Sequence, residues 1–367
     1  MTKRCIVHMP FYVDTDYPSG SQIRPMKMID AFRNIGYEVD VVIGYGNTRK
    51  LQIKSIEANI KKGIKYDFMY SESSTEPTLL TEKNHIPVFP FLDFNFLKFC
   101  KNSGIKIGLF YRDIHWKFSQ YKATVPLTKR LIAYVFYHYD LYKYNRLVDV
   151  LYLPSARMYE YIPFDFKGRV EELPPALDDK NTYCGYNKKD EINNLHIFYV
   201  GGLNYLYNLQ YLFQVVSEIK ELKLTVCCRK KEWENEKTKY EKYISDRIQV
   251  IHKSGDDLIP YFKEADLFNI FVEPLKYWEF AVPVKLFDYI AYQKPIISTK
   301  NTAAGEFIEK NNIGWSIDYS KESLRKQLIY IFKNQELLDE KTNNINKIIA
   351  ENTWKARAKK VVDNLQS

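Results

Sequence analysis

Cysteine is scarce in this 367-residue sequence, and what there is does not pair. The five are Cys5, Cys100, Cys184, Cys227 and Cys228; the number is odd, no two form a CxxC, and two are adjacent on an expected strand. That pattern excludes a disulfide framework and predicts reduced, buried thiols in a cytoplasmic protein. Long apolar runs are missing as well. None approaches the roughly 20 residues needed to span a bilayer. The opening MTKRCIVHMPF has only a very short apolar run and no cleavage site, so it reads as a first strand and not a signal peptide. No RNA-binding signature and no Cys/His finger spacing occurs, so no nucleic-acid partner is expected despite a net charge of +9. The positive excess suits phosphorylated ligands or an anionic membrane face instead.

Aromatic residues, by contrast, are abundant: 30 Tyr and 22 Phe. They can build large cores, and many of the tyrosines must keep a wet hydroxyl at a surface or cleft. An A/T-rich coding sequence would give the same excess of Tyr and Lys. The length suggests two domains of roughly 150–200 residues each. Through the first half, apolar runs such as Cys5–Met9, YEVDVVIGY, YDFMYSES, IPVFPFL, GIKIGLFYRDIHW and VLYLPS alternate with helical spacing at Met26–Asn34 and Leu127–Val148. Such alternation predicts a parallel, doubly wound sheet. The Pro-bearing, charged stretch from Glu172 to Asn194 reads as a linker. After it, LHIFYVGGLNYLYNLQYLF opens a second strand–glycine turn–helix unit, continued by IQVIHKS, LFNIFVEP, PVKLFDYIAYQ and KPIIST. The expected layout is 1–172 as a first Rossmann-like domain, 173–194 as linker, 195–350 as a second such domain, and 351–367 as a basic amphipathic helix returning to the first. In doubly wound sheets ligands bind beyond the carboxyl ends of the strands, so a cleft between facing domains is expected.

Within PVKLFDYIAYQ, Pro283 falls near the first helical position. Lys285 brings a full positive charge to a helix end that already favours anions. Asp288 follows three residues later on the same face, where a carboxylate can hold a vicinal diol by two charge-assisted hydrogen bonds. Phosphate at the helix end and ribose one turn along is the layout a nucleoside diphosphate requires; a solvated ion pair is the plainer alternative.

The chain resembles the GT-B glycosyltransferases of the large retaining group known as group 1 or family 4. FYVGGL resembles that family's glycine turn, and EADLFNIFVEPLKYWEFAVPVKLFDYIAYQKPIIST its donor-site block. ELPPALD resembles the end of its first domain, TWKARAKKVVDNL its final helix, and SGSQIRPMKMIDAFRNIGYEVDVV its first loop, helix and strand. The resemblance implies a GT-B fold, a nucleotide-sugar donor, a glycan or lipid-linked acceptor, and no cofactor or required metal. It implies donor contacts from Gly20, Arg24, Gly201, Gly202, Lys285 and Asp288. His115, beside Arg112 and Asp113 at a strand end, would stand by the transferred sugar.

There are departures from the family pattern. Two glutamates eight positions apart are usual in the donor block; here Asp288 takes the second place, and Glu279 stands nine positions before it. The Arg and Lys that follow the glycine turn and bind the pyrophosphate are absent from GGLNYLYNLQ, which leaves Arg229 or Lys285 to supply the charge. The implied reaction passes through an oxocarbenium-like sugar, with the leaving phosphate assisting the acceptor. No protein nucleophile is then required, and Asp113 and Glu279 are the fallback candidates. The DTD at Asp14–Asp16, a possible metal motif of the rival GT-A fold, follows the first strand directly and reads as a loop coincidence. The helix PLTKRLIAYVFYHYDLYKYNRLVD interleaves aromatics and bases, which fits a membrane interface or a core helix with snorkelling bases. The expectation is therefore a cytoplasmic enzyme of surface polysaccharide or glycoconjugate synthesis, associated peripherally with the inner membrane face. The alternatives are a nucleotide-sugar 2-epimerase of the same layout and a non-catalytic GT-B subunit.

Overall fold

The computed structural model describes residues 3–14, 20–178 and 193–366. The chain divides into two compact units, Met1–Pro175 with Trp354–Ser367, and Ala176–Thr353. Most of the expected linker, residues 179–192 with Cys184, lies outside the described residues, as do residues 15 and 16 of the DTD.

In the first domain the strands are β1 (Arg4–Met9), β2 (Glu38–Ile43), β3 (Phe68–Glu72), β4 (Lys106–Phe110), β5 (Val150–Leu153) and β6 (Arg169–Glu172). They form one parallel sheet in the order β2-β1-β3-β4-β5-β6. Its helices are α1 (Gly20–Asn34), α2 (Gly46–Lys61), α3 (Leu92–Asn102), α4 (Ser119–Thr124) and α5 (Leu127–Leu147). The second domain has β7 (Leu195–Val200), β8 (Leu222–Cys227), β9 (Ile248–Ile251), β10 (Leu267–Ile270), β11 (Ile296–Thr299) and β12 (Gly314–Ile317). These are again parallel, in the order β12-β11-β10-β7-β8-β9. Its helices are α6 (Gln210–Glu218), α7 (Lys230–Glu236), α8 (Ile259–Glu264), α9 (Lys285–Ala291), α10 (Ala303–Lys310), α11 (Lys321–Lys333) and α12 (Glu336–Ile348). The last helix, α13 (Trp354–Gln366), belongs to the first domain and packs on α1.

Burial explains why these runs became strands. The central strands FMYSE, VLYL, LFNI and IIST are buried at every residue, as expected where helices cover both faces of a parallel sheet. The edge strands EVDVVI and RVEE are mostly half-exposed, and RVEE is polar. RVEE, too polar to stand out in the sequence, pairs in full register with β5. IPVFPFL is not a strand. It is the turn leading into α3, with Ile86, Val88 and Phe91 exposed, because Pro87 and Pro90 remove the donors a ladder needs. Helix α1 begins six residues ahead of the expected Met26 and runs through Pro25. Buried Met28, Ile29 and Phe32 anchor it on the sheet. In α13, buried Trp354, Ala358, Val361 and Leu365 repeat at helical spacing, and Arg357 donates to the Pro174 and Pro175 carbonyls at 3.2 Å.

Polar groups are also locked inside the first sheet. His8 bonds Ser71 Oγ at 2.8 Å and Asp93 at 3.0 Å, and Arg49 grips both oxygens of Asp93 at 3.0 and 3.1 Å. All four side chains are buried. Burial alone would raise the Asp93 carboxyl, but His8 and Arg49 hold it below the usual carboxylate range. Cys5, Cys100, Cys227 and Cys228 are buried free thiols.

Candidate functional site

In the second sheet the chain winds outward from β7 to one side and from β10 to the other. The gap between these strand ends is the topological switch point, where ligands bind in folds of this kind. Strand β7 runs into Gly201, which has φ +146°, and Gly202. A Cβ on Gly201 would overlap the Nζ of Lys285 and come within 2.9 Å of its Cε. Glycine here thus satisfies both the backbone angle and the close approach of a lysine.

Lys285 is the first residue of α9. Its Nζ donates to the Tyr199 hydroxyl at 3.0 Å and lies 4.2 and 4.0 Å from the ring centroids of Tyr199 and Tyr207. Both rings are within cation–π range. Tyr199 in turn donates to the Gly202 carbonyl at 2.6 Å, and the Tyr289 hydroxyl accepts from Val200 N at 3.1 Å. Trp278 stacks obliquely on Tyr207 at 5.0 Å and donates to the Leu206 carbonyl, clamping the turn to the segment that leads into α9. Desolvation in this cage lowers the Lys285 pKa to about 7, partly offset by Asp288 and Glu232. Helix α9 starts at Lys285, two residues after Pro283, and is seven residues long. Its dipole is short, so the ammonium, when protonated, adds more positive charge at this helix end than the dipole does.

Asp288 is exposed on α9, one turn from Lys285. Glu279 ends a short 3-10 turn ahead of α9 and is half-buried. Arg229 stands just before α7, largely exposed, and pairs with Glu232 at 3.0 Å. Glu232 also accepts from Leu203 N at 3.2 Å, so this pair is tied to the same glycine turn.

In the first sheet the switch point lies between β1 and β3. Glu72, fully buried at the end of β3, accepts from Tyr70 at 2.8 Å and from Arg112 at 2.8 Å, and pairs with Arg24 at 3.3 Å. Arg24 lies 3.5 Å over the Phe110 ring and reaches the Pro174 carbonyl. It is turned inward, and it shares the single Glu72 carboxylate with Arg112. Gly20 opens α1; the loop before it, residues 15–19, is outside the described residues. Beyond β4, Asp113 Oδ1 accepts from His115 N at 2.9 Å, and Asp113 Oδ2 lies 3.8 Å from His115 Nδ1. That nitrogen is buried with no hydrogen-bond partner among the described residues, and the ring packs edge-on against Tyr121 and Tyr137. A pocket of about 250 Å³ opens at the β1 and β3 ends, lined by Tyr12, Tyr45, Glu76, Glu82, His85 and Arg112 among others. Tyr12 and Tyr45 stack at 5.1 Å with nearly parallel rings. Among the described residues no group of three or more His, Cys, Asp or Glu could hold a metal ion.

Residues 194–334 match the family model "Glycosyl transferases group 1". The chain carries this match over most of its second domain. Its two Rossmann-like domains give it the GT-B fold, shared along nearly the whole length with solved structures. A glycosyltransferase from Rickettsia africae is 13% identical with a TM-score of 0.68, covering 99% of this chain and 98% of that one. HepE of Anabaena, solved in complex with UDP-glucose, is 11% identical with a TM-score of 0.61, covering 98% and 99%. WaaG, a glycosyltransferase involved in lipopolysaccharide biosynthesis, is 13% identical with a TM-score of 0.62, covering 99% and 100%. Among curated proteins none matches the sequence.

Lys285 is brought against Gly201, Gly202 follows in the same turn, and Arg229 joins that turn through Glu232. Sequence reasoning missed Tyr199 and Tyr207, although two tyrosines bracketing a glycine pair were there to be weighed as a cage. It missed Glu72 too, whose signal was an acid closing an otherwise apolar strand.

Proposed function

We propose that this protein is a glycosyltransferase that takes a sugar from a nucleoside-diphosphate donor and passes it, with retention of configuration, to a glycan or lipid-linked acceptor. The reading places that step in surface polysaccharide or glycoconjugate synthesis at the cytoplasmic face of a membrane. One observation carries it: the Lys285 ammonium is pressed onto the glycine turn at the switch point of the second sheet. There it can replace the basic pair missing after the turn. Gly201 and Gly202 let the diphosphate approach the backbone closely, Lys285 and Arg229 oppose its charge, and Asp288 accepts from the ribose diol. As the sugar–phosphate bond breaks, negative charge grows on the diphosphate, and preorganised positive charge stabilises that change most. On the acceptor side, Asp113 fixes the turn that carries His115, the group assigned to the transferred sugar. Glu279 remains the second acid candidate. The pocket beside the Tyr12–Tyr45 pair, with aromatic faces and carboxylates together, suits a sugar ring of the acceptor. The UDP-glucose complex of HepE and the lipopolysaccharide role of WaaG support the donor and acceptor classes. The reading assigns no step to a metal or cofactor.

A thermal-shift screen of UDP, GDP, TDP and CMP compounds tests the donor, because a ligand of the folded state alone raises its stability. Incubation with the matching nucleotide sugars then tests the reaction. Hydrolysis or transfer supports the proposal. Inversion at C2 would make the protein an epimerase, and binding without turnover a non-catalytic subunit.

A further inference from the structure

Helix α5 is apolar on two opposite faces. Ala133, Tyr137, Leu141 and Tyr144 form a buried inner stripe at helical spacing. On the outside of its first half, Leu127, Leu131, Ile132 and Val135 are 59, 60, 55 and 66% exposed. A helix lying on a water-facing surface would carry polar groups there. The exposed charges on the segment itself are of one sign; the exposed acid Glu76, from the loop after β3, faces its Tyr121 and Tyr137 side. Between residues 114 and 148 there are six Lys or Arg and a single acid, Asp140, which is buried. Lys122 and Lys129 are exposed, and Arg130 is tied to the end of α4 through the Lys122 carbonyl.

We infer that this face docks in the plane of a bilayer rich in anionic lipid, with the four aliphatic side chains among the acyl boundary and Lys122, Lys129 and Arg130 at headgroup level. The two requirements of the face, apolar contact and negative charge, are met together by such a surface. A second copy of the chain meets only the first. A two-fold contact would set these bases against their own counterparts, with no exposed acid on the segment to pair them. Docking is interfacial, since no helix among the described residues is long and apolar enough to cross a membrane. The inference rests on the reading above only for its purpose, delivery of a lipid-linked acceptor; the binding itself is independent of donor and acceptor.

The test is sedimentation of the whole protein with vesicles of phosphatidylglycerol and phosphatidylcholine, or of phosphatidylcholine alone, without nucleotide. At least tenfold stronger partitioning to the anionic vesicles is expected, weakening with salt. Leu131→Glu combined with Val135→Glu should lose that binding tenfold or more, while the thermal midpoint and nucleotide-sugar affinity stay unchanged. Equal binding by parent and double variant, or no binding of the parent to anionic vesicles, would overturn the inference. A parent dimer dissociated by the double variant would overturn it too, and would make the face a self-interface. Failure of the glycosyl-transfer reading would appear in the nucleotide assays and leave vesicle binding intact.

Discussion

The titration of Lys285 provides the sharpest check on the donor site. Desolvation by the tyrosine cage lowers its pKa to about 7, against the pull of Asp288 and Glu232. Only the protonated form offers charge to a diphosphate, and a bound diphosphate holds that proton in place. The apparent dissociation constant is then the intrinsic one divided by the protonated fraction. With a pKa of about 7, that fraction falls from about nine-tenths at pH 6 to about one-thirtieth at pH 8.5, so affinity should fall roughly thirtyfold. The nucleotide sugar giving the largest thermal shift is the probe, titrated calorimetrically at constant ionic strength. Its diphosphate is a diester and stays fully ionised throughout. Lys285→Met should bind about 10–100-fold more weakly than the parent at pH 6, the cost of hydrogen bonds to a charged group, and should show no such slope. A parent with flat affinity, or a variant that keeps the slope, would refute the assignment of diphosphate charge to Lys285.

In the free protein the same residue acts with opposite sign. Its folded pKa lies below the unfolded lysine value of about 10.4. Between these two values the unfolded chain holds more protons, so stability rises with pH. The limiting slope is about 1.4 kcal/mol per pH unit. The half-buried ammonium retains some hydration, which brings the expected rise between pH 7 and pH 9 to about 1–2 kcal/mol. Lys285→Met should lack that rise in urea unfolding. Affinity falling while stability rises over one window is a signature that simple loss of structure cannot produce.

Asp288→Ala should weaken donor binding tenfold or more and shift the thermal midpoint little, because the side chain is exposed; full donor affinity in that variant would remove the ribose assignment. Gly201→Ala places a Cβ onto Lys285 at φ +146°. It should cost about 1–3 kcal/mol of stability and also reduce donor affinity, and unchanged binding would show that the cage is not part of the site. Asp93→Ala leaves Arg49 buried without its partner and should destabilise by about 3–5 kcal/mol in urea unfolding, so a loss under about 1 kcal/mol would mean the pair is not structural. Because the Asp93 pKa is depressed, its contribution is present above the unfolded carboxylate value of about 3.9 and is lost as pH falls through the folded one.

The two sheets were readable because central strands of a parallel sheet are buried on both faces, and runs such as VLYL and LHIFYV leave few other options. The edge strands β2 and β9 were read too, but β6 was not. RVEE forms β6 through backbone pairing alone, which leaves no apolar trace, and IPVFPFL carries the apolar trace without the donors to pair. Site residues divide along a similar line. Gly201 and Gly202 were legible as a turn, because a turn after a buried strand imposes its own local requirement. The inward pairing of Arg24 with Glu72, 48 positions away in the chain, was not legible, because no local pattern ties the two. Lys285 lies between these cases. Its charge and place in the motif could be read, but whether that charge faces water or a cage depends on Tyr199, brought to it by the pairing of β7 with β10. The cage alters the chemistry as well as the position. An exposed lysine stays charged through neutral pH and offers a diphosphate little that water does not. On the proposed assignment, a lysine held near neutrality by aromatic walls would gain its proton as the anion arrives, and recognition of the diphosphate would be coupled to pH by the fold itself.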